Sequence, residues 1–171
     1  MRALLALLCV SLLTACGFQL RGNYDLPFDS LYISLPESSQ LHAVLKRSIE
    51  ASSKTRVSSD SQTAQALLTV IADQQAKNIL SLNSSGRVRE YQLVRSFTFR
   101  VHDIGGRDFV PQATIVIRRD MTFSDDQVLA KESEEALLWR DMQTDLVQQV
   151  MRRLSKAKVS EPTVEGNAVT R

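Results

Sequence analysis

The residues whose chemistry is easiest to identify are the four at positions 13 to 16, Leu13-Thr14-Ala15-Cys16. They end an apolar run, Ala3 to Leu13, that follows one positive residue, Arg2. A basic start, a short apolar run and small residues before the cut are the parts of an export signal. The run is shorter than the ~20 apolar residues that span a bilayer. It therefore predicts a signal peptide over residues 1–15.

Cys16 follows the small pair directly, and this arrangement resembles a bacterial lipobox. The resemblance implies cleavage before Cys16, a diacylglycerol in thioether linkage to its sulfur, and an acyl chain such as palmitate on its new amino group. The alternative is a plain signal peptide followed by a stray thiol. One acyl chain binds a membrane only marginally, whereas two or more anchor stably. A lipidated Cys16 would therefore hold the protein in its membrane.

The rest of the chain holds little that could catalyse a reaction. Cys9 lies in the predicted signal, so the lipidated chain would keep no thiol for a disulfide or a metal. His42 lies in a helical pattern and His102 at a strand end, and we interpret both as surface residues. The sequence has no Gly-x-Ser-x-Gly nucleophile elbow, no phosphate-binding loop, and no pair of histidines or cysteines at the spacing of metal ligands. We predict no catalytic residue, no metal and no cofactor, and the formal net charge of +2 gives no reason to expect nucleic acid.

Hydrophobic periodicity predicts the elements that build the domain. Apolar residues at every second position predict strands over 28–35, over 66–72 or 66–82, over 91–101 and over 113–123. Helical spacing predicts a helix over 41–52, capped by Ser38 or Ser39, and a long helix from Asp125 onward. The second helix starts acidic and ends basic, which complements its dipole. Residues 56–65 are polar and serine-rich, which fits a connection or a short edge strand.

The order strand, helix, three strands, helix predicts an α+β fold. We expect a two-layer sandwich in which both helices pack on one face of a four-stranded, mostly antiparallel sheet. The last two strands form a tall hairpin whose other face is polar. Arg95 and Arg119 interrupt its apolar face and are interpreted as snorkelling side chains, and Trp139 as a core residue. We divide the chain into a signal peptide (1–15), a lipidated tether (16–27), a folded domain (28–158) and a disordered tail (159–171).

Several short motifs together resemble one family. The expected new terminus is Cys16-Gly17-Phe18-Gln19-Leu20-Arg21-Gly22, and a glycine and an aromatic after the lipid cysteine, followed by Leu-Arg-Gly, resemble the start of the LPS-assembly lipoprotein family, LptE. The other matching positions are Glu90-Tyr91-Gln92, Arg119, Leu129-Ala130-Lys131 with Glu134, and 142–154 with Gln149, Arg152 and Leu154. They follow the family order over nearly all of the expected mature chain.

Membership would imply a lipid-anchored outer-membrane protein, on the periplasmic side, that plugs and supports the barrel LptD and assists delivery of lipopolysaccharide to the outer leaflet. In such lipoproteins an aspartate after the cysteine signals inner-membrane retention, and Gly17 stands there instead. The resemblance also implies a lipopolysaccharide contact at Lys131. A second basic position of the family corresponds to Ser84, which departs from the pattern, and the nearby Arg87 and Arg89 would supply the charge.

Ordinary readings of these cations stay open at this point. Lys131 would also fit a helix-surface lysine beside acidic neighbours, and Arg87 and Arg89 would fit a solvated strand end. For the whole protein, the alternative is an accessory scaffold lipoprotein of another outer-membrane assembly or transport complex. An enzyme is the least favoured class, because the chain offers so few acid, base or nucleophile candidates.

Overall fold

The structure is a computed structural model that describes residues 24–158. The elements are β1 Ser30–Ile33, α1 Gln40–Ser52, β2 Arg56–Ser58, β3 Ala66–Leu82, β4 Val88–His102, β5 Asp108–Thr122 and α2 Val128–Leu154, with a single 3₁₀ turn, Asp125–Gln127, before α2. The predicted signal peptide, Cys16 and the predicted tail 159–171 lie outside the described residues. Of the predicted tether, 24–27 is described, and Tyr24 and Leu26 there are partly buried against the core.

The α+β class is confirmed, but the sheet has five strands instead of the predicted four, in the order β2-β1-β3-β4-β5. The additional strand, β2, is three residues long and pairs in parallel with β1. β1 is also parallel to β3, whereas β3, β4 and β5 are antiparallel, so the sheet is mixed. The connection through α1 explains the parallel pairs, because parallel neighbours need a crossover and usually use a helix.

One core joins the helices to one face of the sheet. The interior residues of α1 and α2 belong to the same buried cluster as alternate residues of β4, among them Leu45, Leu146, Phe97 and Phe99, all fully buried. Ser39 caps α1, its Oγ accepting a hydrogen bond from the backbone N–H of His42 at 3.4 Å. Neither helix of residues 24–158 combines the length and the apolar content needed to cross a membrane.

Most of the length of the sheet is a three-stranded ribbon of β3, β4 and β5. β1 pairs with β3 only as far as Leu68, so from Thr69 to Leu82 the outer edge of β3 has no neighbouring strand among the described residues. β4 and β5 have 15 residues each, or about 50 Å at ~3.3 Å per residue. The ribbon ends in the turn from Asn83 to Arg87, where Gly86 has φ +74°. We call this end the tip and the end near α1 the base.

Candidate functional site

The three cations predicted to contact lipopolysaccharide lie at the tip. Arg87 ends the turn between β3 and β4, and Arg89 is the second residue of β4. The carbonyl of Arg89 accepts a hydrogen bond from the Phe123 N–H at 2.8 Å, which ties the start of β4 to the end of β5. α2 begins five residues after Phe123, so Lys131 in its first turn is brought to the same end of the sheet.

Lys131 already has partners. Its Nζ lies 2.8 Å from a Glu134 carboxylate oxygen and donates to Thr122 Oγ1 at 3.0 Å, and its side chain is 14% exposed. Glu134 is one turn further along α2, which makes this an i,i+3 ion pair. The sequence-based alternative of a lysine beside acidic neighbours therefore describes its contacts correctly. An anion at Lys131 would have to compete with Glu134.

The two arginines are more accessible. Arg87 Nη1 lies 3.2 Å from Asp125 Oδ2, with both side chains more than half exposed, and such pairs contribute about 0–1 kcal/mol. Arg89 is exposed, and its guanidinium makes no ion pair or hydrogen bond with any residue from 24 to 158. A shallow cavity of about 250 Å³ adjoins both arginines, and Asp125 and Asp126 also line it. Of the three predicted cations, Arg89 is the one best able to accept an anion without breaking a contact.

A buried ion pair was missed by sequence reasoning. Arg95 is not a snorkelling residue: it is 3% exposed, and its Nε and Nη2 donate to the two carboxylate oxygens of Asp73 at 3.0 and 2.8 Å. Its Nη1 is buried and has no hydrogen-bond partner among the described residues. Arg119 does reach outward, with its Nη2 3.3 Å from Asp145 on α2. An arginine at a buried position of a strand requires a counter-charge on a neighbouring strand, and that requirement was the available signal.

A second set of polar contacts joins α2 to β3 and β4 of the ribbon. Lys77 of β3 lies 2.6 Å from a Glu135 oxygen and its Nζ stands 4.3 Å from the centre of the Tyr91 ring. Trp139 donates its indole N–H to Glu135 at 3.3 Å. Trp139 packs against the core but is only partly buried, so it lies at the core boundary. These contacts hold the long helix against the ribbon.

The histidines are not the surface residues that we predicted. His42 is 8% exposed and lies on the buried side of α1. His102 is partly buried between Thr69 Oγ1, 2.9 Å from Nε2, and the Asp103 carbonyl, 2.7 Å from Nδ1. A carbonyl can only accept, so Nδ1 donates to it, and in the neutral ring Nε2 then accepts from the Thr69 hydroxyl. No carboxylate stands behind the ring among the described residues, and these residues contain no metal-binding cluster of histidine, cysteine and acidic groups.

Similar structures support the fold. This chain matches the solution structure of an uncharacterized lipoprotein B from Nitrosomonas europaea with a TM-score of 0.70 and 36% identity. The match covers 81% of this chain and 90% of that protein. A minor lipoprotein from Acinetobacter baumannii matches with a TM-score of 0.64, 24% identity, and coverage of 80% and 99%. The second likeness concerns the fold alone.

Sequence relatives carry a common name. A protein called LPS-assembly lipoprotein LptE from Pectobacterium atrosepticum is 29% identical over 155 residues, or 86% of this chain and 80% of the relative. A protein of the same name from Yersinia enterocolitica is 32% identical over 160 residues, which cover 90% of this chain and 75% of the relative. The family model described as "LptE: Lipopolysaccharide-assembly" matches residues 28–154, which include every described helix and strand. The resemblance predicted from the sequence is thus confirmed, and the chain belongs to the LptE family.

Proposed function

We propose that this protein is an outer-membrane lipoprotein of lipopolysaccharide assembly that plugs and supports the LptD barrel and assists delivery of lipopolysaccharide to the outer leaflet. The observation that carries the proposal is the family match over 28–154, together with the names of the relatives. Lipid on Cys16 would hold the protein at the periplasmic side of the outer membrane. The role requires no catalysis.

The shape of the domain supports the plug role. β4, the central strand of the ribbon, is about 50 Å long, which exceeds the ~30 Å hydrocarbon thickness of a bilayer. Its face away from the helices is polar: Thr98 and Thr114 hydroxyls lie 2.9 Å apart, and Gln92 donates to Asp120 at 2.9 Å. Lumens of wide barrels are polar too. A tall ribbon with a hydrogen-bonding face is therefore suited to line such a lumen.

A capture experiment tests the barrel partner. The chain starting after Cys16, exported by an ordinary signal peptide, should still capture LptD, because a direct interface can replace the local concentration that an anchor supplies. Val116→Arg places a charge on the outer face of the ribbon, where Val116 is 42% exposed, and should reduce capture. Glu37→Arg, at an exposed site in the loop before α1, is the matched control.

Two results would refute the plug role. The first is a folded soluble domain that recovers no LptD at levels where the lipidated form does. The second is capture that Val116→Arg and Glu37→Arg leave equally unchanged. Recovery of a different membrane complex would favour the accessory-scaffold role.

The lipopolysaccharide contact is tested at the tip. Reversing Arg87, Arg89 and Lys131 to glutamate should weaken binding of lipopolysaccharide to the purified protein, and Arg89→Glu should account for most of the loss because its charge is unpaired among residues 24–158. Added salt should also weaken binding, since exposed charges are screened over about 10 Å at 0.1 M. Arg47→Glu, an exposed site on α1, is the control. Unchanged binding by a folded triple variant would refute this assignment.

A further inference from the structure

A groove of about 260 Å³ runs between the end of α1 and the last turns of α2, at the base of the domain. Its lining comprises Tyr24, Ser48, Ala51, Ser52, Val147, Gln148 and Met151. The Ser52 hydroxyl is already used, because it donates to the carbonyl of Ser48. Val147 and Met151 are core residues whose edges form the floor. The groove therefore offers apolar surface between two fixed helices.

The lining decides what kind of group fits. Among the described residues, no lysine, arginine, aspartate or glutamate contributes to it. Small-molecule sites usually measure about 300–1,000 Å³ and carry a few convergent polar groups, so this groove is below their usual size. One or two apolar side chains are a better match than a ligand of that class.

The chain itself arrives at the rim of the groove. The Tyr24 N–H donates to the Ser52 carbonyl at 2.6 Å, which fixes the first described residue against the end of α1. Phe18 and Leu20 lie six and four residues before Tyr24 in the sequence, with Gln19 between them. Alternate residues of an extended chain project to the same side. At no more than ~3.6 Å per residue, Leu20 lies within about 14 Å of Tyr24.

We propose that this groove binds Phe18 and Leu20 of the same chain, and so holds the segment next to Cys16 against the base of the domain. Docking there would leave only Gly17 between the lipid-bearing residue and a fixed side chain. α2 has 27 residues and spans about 40 Å at ~1.5 Å per residue, from the tip to this groove. The membrane anchor and the tip would then lie at opposite ends of a rigid body, so the anchor would fix the direction in which the tip points.

Hydrogen exchange on the full lipidated protein in detergent tests this docking. Backbone amides of residues 17–22 should exchange at least tenfold more slowly than in a free peptide of the same sequence. Phe18→Ser with Leu20→Ser should abolish that protection, while unchanged exchange in β4 checks that the variant keeps its fold. Gln19→Ser, which changes only the polar residue between them, should retain the protection.

A change in the groove gives an independent test. Ala51→Glu puts a charge at an exposed position of the groove wall and should also abolish protection of residues 17–22, while exchange in β4 stays unchanged. Lys46→Glu, exposed on the same helix and outside the groove, is the control. Unprotected amides in the unchanged protein would overturn the proposal. So would protection that survives the double serine variant, as expected if an acyl chain fills the groove, or protection that disappears on dilution, as expected of a second copy.

Discussion

Removing the Asp73 carboxylate should destabilise the domain more than any loss of an exposed charge. Asp73→Ala leaves the Arg95 guanidinium, 3% exposed, without its two charged hydrogen bonds. Breaking a buried pair on one side costs about 3–5 kcal/mol. Because the Asp73 side chain is 26% exposed, water can reach part of the site, and we expect the lower end, about 3 kcal/mol. With an m-value of about 2 kcal/mol/M, the urea midpoint should fall by about 1.5 M.

The double variant Asp73→Ala with Arg95→Met distinguishes the loss of the ion pair from the cost of leaving one unpaired charge buried. Replacing both partners by apolar groups removes the buried charge altogether, so its free energy of unfolding should return to within about 1 kcal/mol of the original. Asp120→Ala, which loses an exposed hydrogen bond to Gln92, is the control and should change it by about 0.5 kcal/mol or less. The reasoning is refuted if Asp73→Ala behaves like this control, or if the double variant is no more stable than Asp73→Ala.

Three further predictions concern the base turn and the core. The guanidinium of Arg107 donates to Asp103 at 2.7 Å and holds the pKa of that carboxyl below its usual value. The contribution of this carboxylate to stability is therefore complete above the unfolded-state pKa of about 3.9 and is lost as the pH falls through the lowered pKa. Arg107→Ala should raise the Asp103 pKa in an NMR titration, and an unmoved pKa would contradict this. Gly106 has φ +86° and open space where an alanine methyl would stand, so Gly106→Ala should cost about 1–2 kcal/mol from backbone conformation alone, measured by thermal melting, and an unchanged melting temperature would count against it. Leu146→Ala, in the core, should cost about 2–5 kcal/mol in urea unfolding, whereas Leu137→Ala, 54% exposed on the same helix, should cost about 0.5 kcal/mol or less; equal losses would contradict the assigned packing.

The strands of the hairpin were predictable because their alternation is uninterrupted. Phe97, Phe99 and Ile115 are buried and their sequence neighbours are more exposed, as period two requires. The end of β3 was harder to predict, because a bulge between Val70 and Ala72 shifts the register and breaks the two-residue period. For β2 the sequence fits a connection as well as a strand, since its three residues are too few to show a period.

The errors at individual side chains share a physical cause. Arg95 was misjudged because its partner, Asp73, is 22 residues away and meets it only when β3 and β4 pair. His42 was placed on the surface because helical spacing alone does not say how wide the buried stripe of α1 is. Glu134, by contrast, is three residues from Lys131, so their contact was readable from the sequence. Local contacts could be predicted, and contacts made by strand pairing could not.

The two outer edges of the ribbon differ in how they would meet another sheet. The β5 edge contains Pro111, which has no N–H to offer, and exposed charges such as Arg118. The β3 edge carries Ile79, Leu80 and Leu82, each 47–59% exposed. An added strand would therefore find backbone groups and apolar side chains along the β3 edge, and a proline and charges along the β5 edge. The two long edges of the same ribbon thus differ in their tendency to add a strand, and the β3 edge is the one more open to strand addition.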